Sequence, residues 1–540
     1  MSAGQATIRR GLIRMVDKRW FKAARAGVFT FATSTAMGGL TGCAVSESDV
    51  SRWETTERGP EKLMAVVTHD KYSKELRTEA ALGLIRMKPR AGKRIGLDNL
   101  ITSLSSLDDP SLDKIVTGMV PELTKQITAP PPAKVETGAP VDLSIPYKDA
   151  AFAMLSHDPP LVKGEANKTA LQNALITWSQ TDFEHRIENN SQAYGVEQMM
   201  RFLGAPSVKG LPTLISEQST KVDRIAALIA DLGDTDTKLK GSTALVTLAK
   251  LLASPGWVEK QKPLVMEANK KGQPGVEVKP EALAKQLEVF QDQELTKVFG
   301  AMKRLGGRPV IDYCLEFGGN AKNSEDRRKA ALAALEGSID KNNTSDVDKV
   351  FAIAKDDATP DSIRDLAFSR LGELPKEQIV PKLYTLFEPK NWKIRWVAGS
   401  LVLRTMTTKG LPEFMKHLPT SSGTKMGMSE PINFGGLIQK MEAPKGEPPT
   451  NDAIAPYLAS HELGPKLVAL GYYYNGKKTD VGVVTPFQND ASPVPKCEAA
   501  DSCGWTCGVP KSPGSQETED KEIKTVGDFV KFCVIPSMTQ

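Results

Sequence analysis

The sequence predicts an all-α protein, built as a solenoid of stacked helix pairs that ends in a small cysteine-rich cap. Three observations predict this fold. A pattern of arginine, alanine and an aliphatic residue at positions i, i+3 and i+7 recurs four times. Two intervals between successive copies, 36 and 31 residues, match the length of one helix pair. Four of the six cysteines fall within the last 44 residues.

The first segment, residues 1–42, has the order of an export signal. Seven basic residues and one acidic residue precede an apolar run from Ala26 to Thr41, which is too short to span a bilayer. The run ends in LTGC, Leu40 to Cys43. This motif resembles the lipobox of bacterial lipoproteins, in which a branched residue and two small residues precede an obligatory cysteine.

The lipobox resemblance implies that the chain is cleaved between Gly42 and Cys43 and that the Cys43 thiol carries a lipid. Residues 43–52 are then expected to form a lipid-anchored tether. In the best-studied Gram-negative lipoproteins an aspartate after the cysteine retains the protein at the inner membrane, whereas Ala44 stands here. We therefore expect an envelope protein at the outer membrane, facing the periplasm or the cell surface.

The net positive charge of the chain comes from this first segment. The whole chain has 70 Lys and Arg against 65 Asp and Glu, and residues beyond 42 carry 63 against 64. Nucleic-acid binding requires a clustered cationic surface. We expect no nucleic-acid partner, and we expect local basic clusters such as Lys88, Arg90, Lys93 and Arg94 to solvate a loop between helices.

Positions i, i+3 and i+7 share one face of a helix, so the alanine allows a close approach of the neighbouring helix and the aliphatic residue fills the space one turn on. Each arginine begins its helix, where we expect it to reach the preceding turn and tie successive units together. The repeated residues are Arg77, Ala80 and Leu84; Arg328, Ala331 and Leu335; Arg364, Ala367 and Leu371; and Arg395, Ala398 and Val402.

This signature resembles that of the HEAT-repeat family, whose second helices carry the same residues after an aspartate-bearing turn. Asp326 and Asp361 fit that pattern, while Lys393 departs from it. The resemblance implies an armadillo-type superhelix stabilised by stacking of neighbouring units.

Composition and helical periodicity divide the chain into segments. They are a signal peptide (1–42), a tether (43–52), an N-terminal HEAT-like block (53–128), a Pro-rich extended linker (129–146), degenerate helical repeats (147–305), HEAT repeats (306–419), a Gly-, Pro- and Met-rich loop (420–450), a final helical repeat (451–490) and a Cys-rich cap (491–540).

The cysteines of the last segment are Cys497, Cys503, Cys507 and Cys533. An exported chain folds in an oxidising compartment, which favours two disulfides, and sequence alone leaves the three possible pairings open. A four-thiolate zinc site is the alternative, although the spacing lacks the usual C-x2-C pairs. Cys314 lies alone in an apolar run and is expected to be a buried hydrophobe.

No catalytic motif is present in the sequence. It lacks a G-x-S-x-G elbow, a phosphate-binding G-x-x-x-x-G-K-[ST] loop, an H-E-x-x-H helix and a C-x-x-C-H haem site. The five histidines lie far apart along the chain, at positions 69, 157, 185, 417 and 461. We therefore expect no enzyme activity, no cofactor and no metal.

Taken together, the patterns favour a membrane-anchored envelope lipoprotein that works as a scaffold or adaptor between proteins. Its partner is expected to be another envelope protein on the concave face of the solenoid. An enzyme accessory or lyase of the periplasm, and a purely structural envelope protein, are the alternatives.

The lipid anchor is directly testable by substitution. Cys43→Ser removes the only thiol that the lipidating enzyme can use, so the variant should remain an uncleaved precursor without metabolic palmitate label. Cys314→Ser is the matched control and should keep the label. Continued labelling of the Cys43→Ser protein would contradict the lipoprotein interpretation.

Overall fold

The structure is a computed structural model that describes residues 45–90, 92–131, 142–188, 194–272, 279–387, 392–418, 429–476, 480–494, 506–511 and 517–539. Nearly all the regular structure in these ranges is helical, and their two strands form one hairpin. The all-α prediction is confirmed.

The helices of the first half are arranged in an N-terminal block and a middle segment. The block contains α1 (Glu47–Trp53), α2 (Gly59–Thr68), α3 (Lys74–Arg86), α4 (Ile95–Ser105) and α5 (Asp109–Ile127). The middle segment contains α6 (Ile145–Ser156), α7 (Glu165–Gln180), α8 (Phe183–Glu188), α9 (Val196–Leu203), α10 (Val222–Leu232), α11 (Thr235–Leu252), α12 (Pro255–Gly272) and α13 (Pro280–Leu305), with short 3-10 helices at Ala205–Val208 and Leu211–Leu214.

The second half continues the array and ends in the cap. Its helices are α14 (Arg308–Gly319), α15 (Glu325–Ala333), α16 (Thr344–Lys355), α17 (Asp361–Leu371), α18 (Lys376–Tyr384), α19 (Trp392–Thr405), α20 (Leu411–His417), α21 (Ser429–Gln439), α22 (Thr450–Ile454) and α23 (Leu463–Asn475). The cap contains β1 (Thr506–Pro510), β2 (Thr518–Glu522), α24 (Val526–Phe529), a π-helical turn (Val530–Val534) and α25 (Ile535–Thr539).

The helices stack in the order of the chain. In the repeats that follow residue 306, α14 packs on α15 and α16, and both of these pack on α17. The same alternation runs from α2 to α7, and one layer of it continues from α17 through α19 and α21 to α23. Among the described residues, the main contacts of each helix are with helices close to it in sequence, which confirms the predicted HEAT-like α-solenoid.

Hydrogen bonds and ion pairs between neighbouring units join residues that are about one repeat length apart in the chain. The backbone N–H of Gly337 donates to the Glu373 carboxylate at 2.8 Å, 36 residues along the chain. Arg308 forms a two-pronged ion pair with the buried Asp346, at 2.6 and 2.7 Å, across 38 residues. These two separations lie close to the 36-residue interval that the arginine signature predicts.

The signature arginines satisfy carbonyl groups at the ends of the preceding helices. Arg77 Nε donates to the Val67 carbonyl at 2.8 Å, and Arg328 Nε donates to the Gly318 carbonyl at 2.9 Å. Arg364 Nη2 donates to the carbonyls of Asp356 and Thr359, at 3.1 and 2.8 Å. The last carbonyls of a helix lack partners within the helix, and a cation is favoured at that negative end of the dipole.

These contacts correct one expectation. Arg77, Arg328 and Arg364 each join the second helix of a pair to the first helix of the same pair, and not to the preceding repeat. The reason is geometric, because a side chain in the first turn of the second helix lies beside the end of the first helix. All twelve signature residues, including Arg395, Ala398 and Val402, are buried.

Two residues of the middle segment make the same kind of contact without the signature. Arg186 Nη1 donates to the carbonyls of Trp178 and Thr181 at the end of α7, at 2.5 and 2.9 Å. Gln291 Nε2 donates to the Leu252 carbonyl, the last of α11, at 2.6 Å. The helices there are stacked like those of the later repeats, although their sequences diverge.

The predictions of an extended tether and of an extended linker are each wrong in part. The tether was predicted over 43–52, but α1 begins at Glu47 and its Val50 is fully buried. Ser46 and Asp49 form a capping box that starts this helix. The linker 129–146 is described only at its ends, and α6 begins inside it at Ile145, while 132–141 lie outside the described residues.

The loop predicted over 420–450 contains α21, which packs tightly on α23. A Cβ atom on Gly435 would lie 2.3 Å from the backbone nitrogen of Tyr472, and one on Gly471 would lie 2.5 Å from the Ile432 Cα atom. These glycines therefore serve close helix packing and do not mark a loop. Phe434 is buried and stacks on Trp396 with ring centroids 5.0 Å apart.

The C-terminal segment covers the last helix pair, as predicted. Val526, Phe529 and Val530 are fully buried, and the Phe529 ring contacts Tyr474 of α23. A disulfide between Cys507 of β1 and Cys533 joins the hairpin to the terminal helix. The antiparallel pairing of β1 with β2 was not predicted.

The helix-end contact should be measurable as stability. Arg364→Ala leaves the buried Thr359 carbonyl and the half-buried Asp356 carbonyl without this donor, so the free energy of unfolding should fall by about 1 to 3 kcal/mol in urea titrations. Arg224→Ala is the matched control, since Arg224 is exposed on α10 and pairs only with Glu197 among the described residues. Equal losses from both substitutions would contradict a special role for the buried arginine.

Candidate functional site

Some of the predicted site residues lie outside the described ranges, and the structure places the others in different surroundings. Gly42, Cys43, Cys497 and Cys503 lie outside the described residues. Cys507 and Cys533 are joined, with their Cα atoms 5.6 Å apart. A disulfide sulfur is not a thiolate ligand, so this pairing removes two of the four ligands that the zinc alternative requires.

Cys314 lies in the core of α14. Its thiol is fully buried and contacts the Met302 sulfur at 3.9 Å. Burial raises the pKa of the Cys314 thiol to about 12. The thiol therefore stays protonated at neutral pH, in agreement with the role of a buried hydrophobe.

The described ranges contain no group of three or more His, Cys, Asp or Glu side chains that could hold a metal ion. Among the same residues, no helix combines the length and the apolar character needed to cross a bilayer.

A buried cluster of charges occupies the junction between the N-terminal block and the middle segment. Lys148 and Asp149 come from the first turns of α6, and Asp142 from the loop just before it. Arg94 immediately precedes α4, and Arg186 comes from α8. Lys148 and Asp149 are fully buried, and both Arg94 and Lys148 pair with the Asp149 carboxylate. Ion pairing inside the protein offsets the cost of removing these charges from water.

Hydrogen bonds orient the members of this charge cluster. Arg186 Nε donates to Asp142 at 3.1 Å, and Lys148 Nζ donates to the Tyr194 carbonyl at 2.6 Å. Both cations lie over the indole ring of Trp178, with Lys148 Nζ 4.9 Å and the Arg186 guanidinium carbon 4.5 Å from its centroid. The cluster thus holds α6, α7 and α8 together through one aromatic ring.

The environment of Lys148 changes its protonation. Burial, with the nearby positive charges of Arg94 and Arg186, lowers the pKa of the Lys148 ammonium to about 7, while the Asp142 carboxylate opposes the change. Desolvation disfavours the charged form of an amine. The lowered pKa brings the titration of Lys148 toward physiological pH, while its ion pair with Asp149 favours the charged amine.

Sequence reasoning missed this cluster because its members are far apart along the chain. Arg94 was expected to solvate a loop, but its side chain is 30% exposed and pairs with a buried carboxylate. Lys148 and Asp149 are two consecutive charges at the start of a helix, a pattern that usually marks a solvated surface. The proline-rich segment 129–146, which precedes Lys148 and Asp149, indicates that the chain changes direction at this point, but it does not indicate buried charges.

A second feature is a groove of about 830 Å³ along the exposed face of α11. Leu239, Thr243, Thr247 and Leu251 follow one another at four-residue spacing on this face. The opposite wall is formed by residues 212–218. The groove therefore runs along about three turns of a helix.

The lining of this α11 groove is largely apolar. Leu239 is 52% exposed and Leu251 is 43% exposed. The hydroxyl groups of Thr243 and Thr247 donate to backbone carbonyls one turn back, each at 2.9 Å. The threonines therefore offer methyl groups to a partner, and not free hydrogen-bond donors.

Comparison with known proteins provides only remote likenesses. No family model matches the chain, and no curated protein matches it. Among solved structures, an engineered protein matches 77% of this chain and 98% of its own chain, with 15% identity and a TM-score of 0.22.

Two natural proteins give matches of the same kind. The crystal structure of Kap121p bound to Pho4p matches 81% of this chain with 14% identity and a TM-score of 0.30. Importin beta matches 82% with 9% identity and a TM-score of 0.19. The matches span 43% of the Kap121p chain and 65% of the importin beta chain. The fold assignment consequently depends on the helix packing of this chain itself.

The lowered pKa of Lys148 predicts a pH dependence of stability. An unfolded lysine has a pKa of about 10.4, so between about pH 7 and 10.4 the unfolded chain binds more protons at Lys148 than the folded chain. Folding should gain stability from Lys148 as the pH rises through this window, by at most about 1.4 kcal/mol per pH unit. Below about pH 7 the contribution of Lys148 should be constant.

Urea unfolding at pH 7, 8 and 9 measures this effect. Lys148→Met has no amine to titrate and should show a shallower rise of stability with pH than the unsubstituted protein. Lys114→Met, at an exposed position of α5, should leave the slope unchanged. Identical slopes in all three proteins would contradict the lowered pKa of the buried Lys148 amine.

Proposed function

We propose that this protein is a membrane-anchored envelope lipoprotein that acts as a protein-binding scaffold or adaptor. The observation that supports the binding role is the exposed apolar face of α11, with Leu239 and Leu251 at its two ends. Contiguous exposed apolar surface on a soluble domain commonly marks an interaction site.

The shape of the α11 groove favours a helical partner segment. Its apolar side chains recur at one helix face over about three turns, which is the geometry that an amphipathic helix uses when it binds in a groove. Charged side chains stand at the rim, with Asp236 and Lys240 on α11 and Glu217 on the opposite wall. A partner helix with an apolar stripe and mixed charges beside it would match this surface.

The anchoring role is supported by the sequence. The order of basic region, apolar run and LTGC at residues 1–43 is the basis for placing the protein at a membrane, facing the periplasm or the cell surface. An anchored solenoid holds an extended binding surface near the bilayer, which suits an adaptor for another envelope protein.

The alternative roles differ in what they require. A periplasmic enzyme accessory or lyase requires a polar pocket open to a substrate, and we assign no catalytic residue. A purely structural envelope protein requires no partner on the α11 groove. A specific partner whose binding depends on that groove distinguishes the adaptor from both alternatives.

Partner capture from solubilised envelope tests the proposal. The double variant Leu239→Asp, Leu251→Asp places two charges in the groove, so it should lose a stoichiometric partner that the unsubstituted protein retains, by at least about tenfold in recovered amount. Leu264→Asp is the matched control, because Leu264 is 58% exposed on α12 and is not among the groove residues.

Three outcomes decide between the roles. Loss of one partner in the double variant with retention in the control supports the adaptor. Equal recovery from both proteins contradicts binding at the α11 groove. Absence of any stoichiometric partner from the unsubstituted protein contradicts the adaptor and favours the structural role.

A further inference from the structure

A cavity of about 220 Å³ lies beside the buried charge cluster, at the junction of the N-terminal block and α6. Its walls come from the end of α3, the loop that follows it, and the first turns of α4 and α6. Most of the lining is apolar, and Arg94 and Asp142 are its only charged members among the described residues. The lining residues are Ile85, Met87, Pro89, Leu97, Ile145 and Pro146, with these two charges.

Arg94 presents unused hydrogen-bond donors at this cavity. Its guanidinium group pairs with Asp149 and lies over the Tyr194 ring, 5.9 Å from the ring centroid. Within the described part of the chain, no other acceptor receives a hydrogen bond from the Arg94 side chain. A guanidinium group has five N–H donors in a planar fork that matches a carboxylate.

Asp142 does not compete for the Arg94 side chain. One Asp142 oxygen accepts from the backbone N–H and the hydroxyl of Ser144, with the N–H donor at 3.0 Å. The other oxygen accepts from Arg186 Nε at 3.1 Å. Asp142 is therefore already paired with Arg186 and Ser144, and Arg94 is the charged lining residue whose donors are not all used by acceptors among the described residues.

The helix N-termini beside the cavity, and not the net charge of the cluster, favour an added anion. Arg94, Lys148 and Arg186 surround two carboxylates, those of Asp142 and Asp149. The first turns of α4 and α6 also lie in the cavity wall, and the N-terminal ends of helices favour negative charge.

We propose that this cavity binds a short amphiphile with one carboxylate, its alkyl chain against the apolar walls and its carboxylate on Arg94. The volume limits the length of the ligand, because pockets for drug-sized molecules measure about 300 to 1,000 Å³. A medium-chain alkyl carboxylate is therefore the size class that fits. This proposal is independent of the scaffold role and of the α11 groove.

Isothermal titration calorimetry with octanoate and with 1-octanol tests the site on the purified full chain. The two probes share the alkyl chain, and only octanoate has the charge. Octanoate should bind with one-to-one stoichiometry and at least about tenfold more tightly than octanol, the difference expected from charge-assisted hydrogen bonds. Equal affinities would contradict the role of Arg94.

Substitutions locate the binding. Arg94→Met should weaken octanoate binding at least about tenfold and leave octanol binding nearly unchanged. Lys93→Met is the matched control, since it removes a positive charge from an exposed position of the same loop and should not weaken binding. Met87→Trp fills the cavity and should abolish the binding of both probes.

Circular dichroism melting of each variant separates loss of folding from loss of binding. If Arg94→Met does not fold, Met87→Trp and the comparison of the two probes still test the proposal. Octanoate binding that survives Met87→Trp in a folded protein would place the ligand elsewhere and overturn the proposal. No detectable octanoate binding to the unsubstituted protein would also overturn it.

Discussion

The solenoid depends on the satisfaction of the carbonyl groups where the first helix of each pair ends. A chain that turns back after ten or so residues buries these carbonyls against the returning helix, where water cannot reach them. A buried arginine in the first turn of the second helix supplies the donors, as Arg77, Arg328 and Arg364 do. This contact fixes how the two helices meet, and stacking of the apolar faces follows from that geometry.

The same requirement explains which parts of the fold are visible in the sequence. Where the donor is an arginine three residues before an alanine, as at Arg328 and Arg364, the repeat is recognisable from the pattern alone. Where Gln291 or Arg186 supplies the donor from a different context, the pattern disappears although the contact remains. The helix α21 was missed for another reason, because the glycine-rich composition of 420–450 predicts a loop, whereas Gly435 permits close packing.

The charge cluster and the α11 groove were less accessible to sequence reasoning than the fold. Periodicity identifies which face of a helix is apolar, but it does not show whether a neighbouring helix covers that face. Leu239 and Leu251 lie on the groove face of α11, and both stay exposed there. Likewise, no local pattern indicates that Arg94 meets a carboxylate 55 positions later in the chain.

The capped C-terminal end has a consequence for how copies of the protein meet. An open solenoid end displays the apolar face that another repeat would cover, so it is complementary to the start of a second molecule and invites head-to-tail filaments. Here that end carries the β-hairpin, whose second strand reads TEDKE and exposes Glu519 and Asp520. Because charged strands resist edge-to-edge pairing, the disulfide that holds the hairpin on the terminal helix also holds in place a barrier to polymerisation.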